Sequence, residues 1–590
     1  MLGILRLMAF VLAGLAVGAV GLAIPASAED PTPAPGLTSE AERLAEHAEE
    51  DPELHFADDG TVFAADMWHQ VPEATDPAGD DGTELAYSET VASYSLAETF
   101  RLHSRPGASR TVYLDFNGGS LISTNAWLKE GLRSEVYPGW STDGSAAFSD
   151  GERTAIQEVW ARVAEDFAPF DIDVTTEQPA EGALWRSSYS DMVYGTRVAF
   201  TSGSTVQNDL CGGGCGGVAW VGTFDWVTQG EVRSPAWVFP SALGDRPKNL
   251  AEAAAHEVGH NLGLTHDGTT TSGYYAGGSL WGPIMGSPYS SGVTQWSRGE
   301  YTGANNHEDD FAVMAANGAP ARPDEAGGSS WTAVSLSTLA GGTGVLSSRT
   351  DQDWFTLTGC TGTVAAKATP AAVGPNADLR LQVLDATGTP LASNAPATSR
   401  LPGGSVTGLS ASLTLSLSGG PYYVAVSGAG SGEDGVAGWS TGGYGSYGSV
   451  GTYRLSVTGC GGSEQPVIKD LRPEDPAAEQ PDPQPKVYAP SAPPRPRVAP
   501  GARGGAKTIR VRWYPPSSTG GARVNGYVLQ AYRLNSRGRV VERRATGVRS
   551  ASARRIEWRL PRGRWVVRVK ARNQAGWSAL SPRSLRVAPR

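Results

Sequence analysis

The stretch AAAHEVGHNLGLTHD, Ala253–Asp267, holds three of the chain's eight histidines, His256, His260 and His266. Residues four apart lie on one face of a helix, so His256 and His260 can converge on one ion. The residues leading in, RPKNLAEAAAHEVGHNL, read as a helix: Pro247 suits the first turn, and Leu250, Ala254 and Val258 supply an apolar face. Gly263 falls where the chain must leave that helix in a turn tolerating positive φ, which can bring His266 back as third ligand. Three imidazoles suit Zn2+ and leave a fourth position open, as in a catalytic rather than a closed structural site. Glu257, next to the first ligand, is the candidate catalytic base for the attacking water.

Outward from this segment the chain changes character several times. A β-like run, RTVYLDFNG from Arg110, precedes a helix-like segment with Ile156, Val159, Trp160, Val163 and Phe167 at helical spacing. Strand-like DIDVTTE, TRVAFTS, GGVAWVGTF and SPAWVFPSAL follow, which predicts an α/β (α+β) catalytic domain over residues 106–320. Residues 324–461 alternate in short runs split by glycine-rich turns, as an all-β sandwich does. The GWSTGGYGSYGSVG stretch within it reads as a long hairpin connection. A proline-rich linker, 462–493, leads to a second all-β sandwich, 494–590. The fold class is therefore multidomain.

The N-terminus sets the compartment. Arg6, an apolar run from Leu7 to Ile24 and the Ala26-Ser27-Ala28 pattern read as a signal peptide over residues 1–28. The protein is expected to be secreted, with no transmembrane helix in the mature form. Residues 29–105 form an acidic, propeptide-like segment carrying 19 acidic and 3 basic residues, with a short helix possible near Ser39–Glu50. Its processing point is expected near LHSRPG. Export permits disulfides, and four cysteines allow three pairings. Bridges closing within each candidate domain join Cys211 to Cys215 and Cys360 to Cys460.

Charge is partitioned as well. From Arg495 onward there are 24 Lys+Arg against 2 acidic residues, while the whole chain nets −12. That basic region suits an anionic cell-wall polymer or polysaccharide. Its charges are scattered and no nucleic-acid-binding motif sets a register, so specific nucleic-acid recognition is not expected.

The motif His256-Glu257-x-x-His260-x-x-Gly263-x-x-His266 resembles that of the metzincin metalloproteases. The resemblance implies a secreted zinc endopeptidase acting on proteins or peptides, with Met285 in GPIMGSPY as the methionine turn under the metal. Asp267 resembles the structural aspartate of the adamalysin-like (reprolysin) and snapalysin branches. Some metzincins carry a metal-contacting Tyr two residues after the Met, where this chain has Ser287, and Tyr289 lies two further on. Metzincin propeptides often block the zinc with Cys or Asp; residues 29–105 contain no cysteine, which leaves an Asp, His103 or steric occlusion. CGGGCGGVAWVGTF resembles the strand bordering the metzincin cleft, where a substrate adds as an extra strand, and reads equally as a structural strand. Trp220 and Trp237 within these strands are core candidates.

DQDWFTLTG and GGPYYVAVSG resemble the bacterial pre-peptidase C-terminal domain, and VVRVKARNQAGWSALSP resembles fibronectin type III. A structural Ca2+ is a second candidate cofactor; NNHEDD, with His307, Asp309 and Asp310, reads better as a helix start than as its loop. The rival function is a cell-surface or polyanion-binding adhesion protein in which the basic region is the main functional part.

Overall fold

The computed structural model describes residues 51–67, 94–460 and 490–590, apart from short internal stretches (58, 146, 181, 340–341, 402–405, 432–443, 502–506, 517–518, 520–522, 536–538 and 574–575). The expected signal peptide, the Ser39–Glu50 helix, most of the linker and part of the glycine-rich connection lie outside the described residues. The chain divides into two compact units, Met1–Pro473 and Glu474–Arg590.

The first unit is built on a seven-stranded mixed sheet. Its strands are β1 (Leu54–Phe56), β2 (Val62–Met67), β3 (Arg110–Asp115), β6 (Ile172–Thr175), β7 (Tyr194–Phe200), β8 (Cys215–Trp220) and β9 (Ala236–Val238). A small ribbon, β4 (Gly118–Ser120) with β5 (Val136–Pro138), stands apart. The spatial order is β1-β2-β8-β9-β7-β3-β6. Neighbours from β9 to β6 run parallel; β8 runs antiparallel to both β9 and β2.

Helix α1 (Asp150–Asp166) starts at a capping box, Ser149 with Glu152, and buries Ile156, Val159, Trp160 and Val163 at the predicted spacing. Helix α2 (Ser204–Cys211) adds a short element to those the sequence predicts and ends at Gly212 in the left-handed region. Helix α3 (Pro247–Asn261) begins with Pro247 in its first turn, and from Leu250 onward every residue is buried. Such all-round burial suits its alanine and glycine content, since small residues let strands and α1 approach closely. Together α1, α3 and the sheet enclose the main core around Val112, Phe167, Phe200, Val258 and Trp296.

The described parts of the acidic segment, 51–67 and 94–105, are folded. Residues 51–67 form β1 and β2, because β2 completes its backbone hydrogen bonds on β8 while Ala64 and Ala65 bury their side chains. Residues just before Arg105 also belong to the folded unit. Tyr94 packs edge-on against Trp160 (5.4 Å), Gln157 Nε2 donates to Ser95 O (3.2 Å), and Leu102 is buried.

Farther along, two sheets enclose one core that includes Phe355, Val364, Leu381, Val424, Val426 and Tyr453. This part packs on the helices: Asn376 Nδ2 donates to Asp166 Oδ1 (2.9 Å), and Thr452 N donates to Glu165 Oε1 (2.9 Å). The described end of the glycine-rich connection is docked, since the Tyr447 hydroxyl donates to Asp309 Oδ1 (2.8 Å). The second unit holds two sheets around Ile509, Val511, Trp513, Leu529, Trp565 and Val567. The molecule is thus a sheet-rich mixed α/β protein with few helices among the described residues. None of those helices is long and apolar enough to cross a membrane.

Candidate metal centre

One helix turn separates His256 from His260 on α3, and both rings face the same point. The helix closes at Gly263, whose φ of +91° lets its N–H donate to His260 O (2.8 Å) and turns the chain back toward His266. Each α3 ring is fixed from behind. His256 Nδ1 donates to Ile284 O (2.8 Å) and His260 Nδ1 to Leu264 O (2.9 Å). Those acceptors select the tautomer that leaves each Nε2 lone pair facing inward, the arrangement a metal ligand requires. Burial pushes the His256 imidazole down to about 3, so it is neutral. His266 Nδ1 is backed by Asp51 Oδ2 at 2.5 Å.

The fourth member comes from β2. Asp66 Oδ1 lies 2.8 Å from His266 Nε2 and 3.6 Å from His260 Nε2, and its Oδ2 lies 3.4 Å from His256 Nε2. The two nitrogens of His260 and His266 are 3.1 Å apart. Atoms bound to one tetrahedral zinc at about 2.0–2.1 Å stand roughly 3.3 Å from each other. These separations bracket that value, and the buried His256 Nε2 has no protein hydrogen-bond partner. The donor set therefore fits zinc. The position expected to stay open for water is taken by Asp66.

Glu257 points from α3 toward β8. A Cβ on Gly217 would sit 1.8 Å from Glu257 Oε1, so only glycine lets that strand pass over this carboxyl. Burial and the adjacent Asp66 carboxylate push Glu257 well above the usual carboxylate range. Tyr274, from the loop after His266, completes the cluster. Its hydroxyl donates to Glu53 and lies 3.1 Å from Asp66 Oδ1 and 3.2 Å from His266 Nε2.

Met285 is fully buried against α3, where a Cβ on Gly259 would come within 2.5 Å of its sulfur. Asp267 N donates to Met285 O (2.8 Å), and Tyr275 N donates to Asp267 O (2.7 Å). Asp267 thereby ties third ligand, methionine segment and Tyr274 loop together. Other sequence candidates lie elsewhere. His103 pairs with Asp173 (2.7 Å) and Glu177 (3.1 Å); Asp115 ends β3 and accepts from Arg197 (2.8 Å). Trp220 and Trp237 are core residues, and Asp309 caps helix α4 (Asp310–Ala316). Tyr289 packs at the edge of the main core. The disulfides are Cys211–Cys215 and Cys360–Cys460.

Sequence reading missed Asp66, Asp51, Tyr274 and the need for Gly217. Only Gly217 had a local signal, the glycine runs of CGGGCGG.

With this geometry in place, the profile of the reprolysin-like metallopeptidases, family M12B, matches residues 182–267, from before β7 to the residue after the third histidine. Match and donor set together support a zinc metallopeptidase domain in this part of the chain. No curated protein matches the chain. Among solved structures, titin kinase with its flanking domains is similar at 19% identity and TM-score 0.15, over 17% of either chain. The twitchin kinase region of C. elegans gives 19% and 0.15, over 17% of this chain and 16% of that one. The FN5 domain of Drosophila Lar gives 20% and 0.13, over 17% of this chain and 96% of that one. Likenesses at these scores carry no argument about this fold.

Proposed function

We propose that the chain is a secreted zinc endopeptidase of metzincin type, held latent by its own N-terminal segment. The observation that carries this is the convergence of three buried imidazole Nε2 atoms, two with Nδ1 anchored to main-chain carbonyls, beside a buried glutamate. His256, His260 and His266 are the metal ligands. When bound, Zn2+ supplies Lewis-acid polarisation of the scissile carbonyl and acidifies a water molecule. Glu257 takes the proton of the attacking water and returns it to the leaving amine. Gly263 and Asp267 hold His266 in place, and Met285 forms the apolar floor beneath α3. An extended substrate pairs with β8, along the edge that β2 covers here.

Latency follows from the same edge. Asp66 sits among the ligand nitrogens as a removable donor, and Asp51 and Glu53 fasten the leader to His266 and Tyr274. Residues 94–104 pack on α1 and β6, so we place the release point upstream of Tyr94 rather than at LHSRPG.

The remaining assignments are proposals of the same kind. Residues 324–461 act as a pre-peptidase C-terminal-like module. Asp324, Asp351 and Asp353 are the residues that would hold a structural Ca2+; Asp353 is fully buried with Oδ1 unpartnered, and burial followed by neighbouring carboxylates pushes it up to about 9. The basic C-terminal unit, read as fibronectin type III-like, binds an anionic extracellular polymer. Supporting this, Arg497, Arg512 and Arg555 are exposed and directly opposite one another across three neighbouring strands. Like charges so placed cost stability, which a binding role accounts for.

The test is hydrolysis of casein or a fluorogenic peptide by chain released from its leader, with chelator and then zinc added back. Loss and recovery of activity are expected, and Glu257→Ala should keep one zinc yet lose nearly all turnover. Chelator-insensitive hydrolysis, or full activity in a zinc-loaded Glu257→Ala chain, would refute the assignment.

A further inference from the structure

We infer that Tyr274 is a catalytic residue whose hydroxyl donates to the oxyanion formed during peptide hydrolysis; this rests on the endopeptidase reading. Three observations carry it. First, the hydroxyl is aimed at the ligand cluster itself, 3.2 Å from His266 Nε2, with the ring tilted over His266 at a centroid distance of 4.5 Å. Second, besides the ligand nitrogen His266 Nε2, the acceptors of its proton are the carboxylates of Glu53 and Asp66, both in the leader. When β1 and β2 depart, both acceptors go with them, and the donor stays behind facing the position Asp66 Oδ1 has left. Third, the loop is anchored on both sides of the tyrosine pair. Tyr275 stacks on Tyr301 (4.2 Å, 6°), Tyr275 N donates to Asp267 O (2.7 Å) and Ser287 N donates to Tyr275 O (3.0 Å).

The Asp66 carboxylate is a stand-in for the reacting group. It projects from β2, the strand that pairs with β8, so a peptide bound along that edge runs beside the same cluster, and the departing carboxylate leaves room there for its scissile carbonyl. Attack by water converts that carbonyl into a tetrahedral centre bearing two oxygens and developing negative charge. Asp66 likewise presents two oxygens with one negative charge, and Tyr274 reaches one of them at 3.1 Å. A fixed O–H aimed at developing charge in a buried site stabilises the transition state more than the neutral ground state.

The test uses the full-length, zinc-loaded chain carrying Asp66→Ala, compared with the same chain also carrying Tyr274→Phe, which deletes a single oxygen. The second substitution should lower kcat on a fluorogenic peptide by about 100-fold, as removal of an oxyanion donor does, while KM stays nearly constant. A phosphinic peptide, a tetrahedral anion needing no turnover, should lose affinity in parallel by calorimetry, with zinc content equal in both chains. Equal kcat and equal phosphinate affinity in the pair would overturn the role of Tyr274 and leave the peptidase intact. Chains that hold zinc yet, even after cleavage upstream of Tyr94 has released the leader, cut nothing and bind no phosphinic peptide would overturn the endopeptidase reading, and this inference with it.

Discussion

Replacing Asp66 with alanine in the intact chain tests the proposal that the leader holds the site shut. Asp66 is buried, and its two oxygens lie 2.8 Å, 3.4 Å and 3.6 Å from the Nε2 atoms of His266, His256 and His260. Removing one partner from such a buried polar cluster costs about 3–5 kcal/mol. The loss falls on the docked leader alone, because the open state makes none of these contacts. At about 1.4 kcal/mol per tenfold, the open population rises roughly 100- to 4,000-fold. The main-chain ladder from Phe63↔Trp220 to Asp66↔Gly217 persists, so the leader still docks, only less tightly. The assay is hydrolysis of a fluorogenic peptide by intact Asp66→Ala and unsubstituted chains, with metal content measured in both. Chelator-sensitive turnover should rise by that factor at unchanged zinc. If Asp66→Ala binds zinc and is as silent as the unsubstituted chain, while leader-free chain is active, the carboxylate is not the lock.

Burial raises Glu165 to about 7, against the hydrogen bonds from Thr452 that lower it. The unfolded chain ionises near 4.5, so this group's stability contribution is fullest below that pH and is lost as pH rises toward 7. Glu165→Gln should therefore melt like the unsubstituted chain at pH 4.5 and gain about 3 kcal/mol over it at pH 8; a pH-independent difference would contradict the burial argument. Substituting Arg497, Arg512 and Arg555 together with serine should advance elution from a heparin column while stabilising the unit by up to about 1 kcal/mol; unchanged retention would remove this face from binding. Adding Ca2+ should raise the melting temperature of the full-length chain, an increment that Asp353→Asn abolishes; equal increments in both would move the cation elsewhere.

The ligand triad was legible because its geometry is local. Helical period sets His256 against His260, and one glycine turn returns His266, so eleven residues contain the information. The buried stripe of α1 was legible for the same reason. Asp66 was not, because it reaches the site through strand pairing across about 150 residues, and a sequence shows composition before it shows partners. Nineteen acidic residues between Glu29 and Arg105 masked the short run VFAADM, whose strand state is borrowed from the edge of β8. Tyr274 was hidden differently. Its place depends on the stacking of Tyr275 with Tyr301 and on the backbone of Asp267, and no periodicity announces either.

Gly217 connects these two kinds of information. Its missing side chain admits Glu257 beneath β8, and on the neighbouring strand the residue opposite it is Asp66. In this register β2 brings the residue opposite Gly217 to the three histidines. Successive side chains alternate between faces, so a shift by one position would aim Ala65 or Met67 there and turn the carboxylate away. Ala65 instead packs toward Trp127 and Trp220, and Phe63 makes edge-on contacts with both rings, at 5.5 Å and 5.3 Å. That aromatic contact pins the register, and the register sets Asp66. In the proposed latency the lock is therefore a property of strand alignment as much as of one acid, since Glu257, the three histidines and Asp66 all gather at the β8 edge.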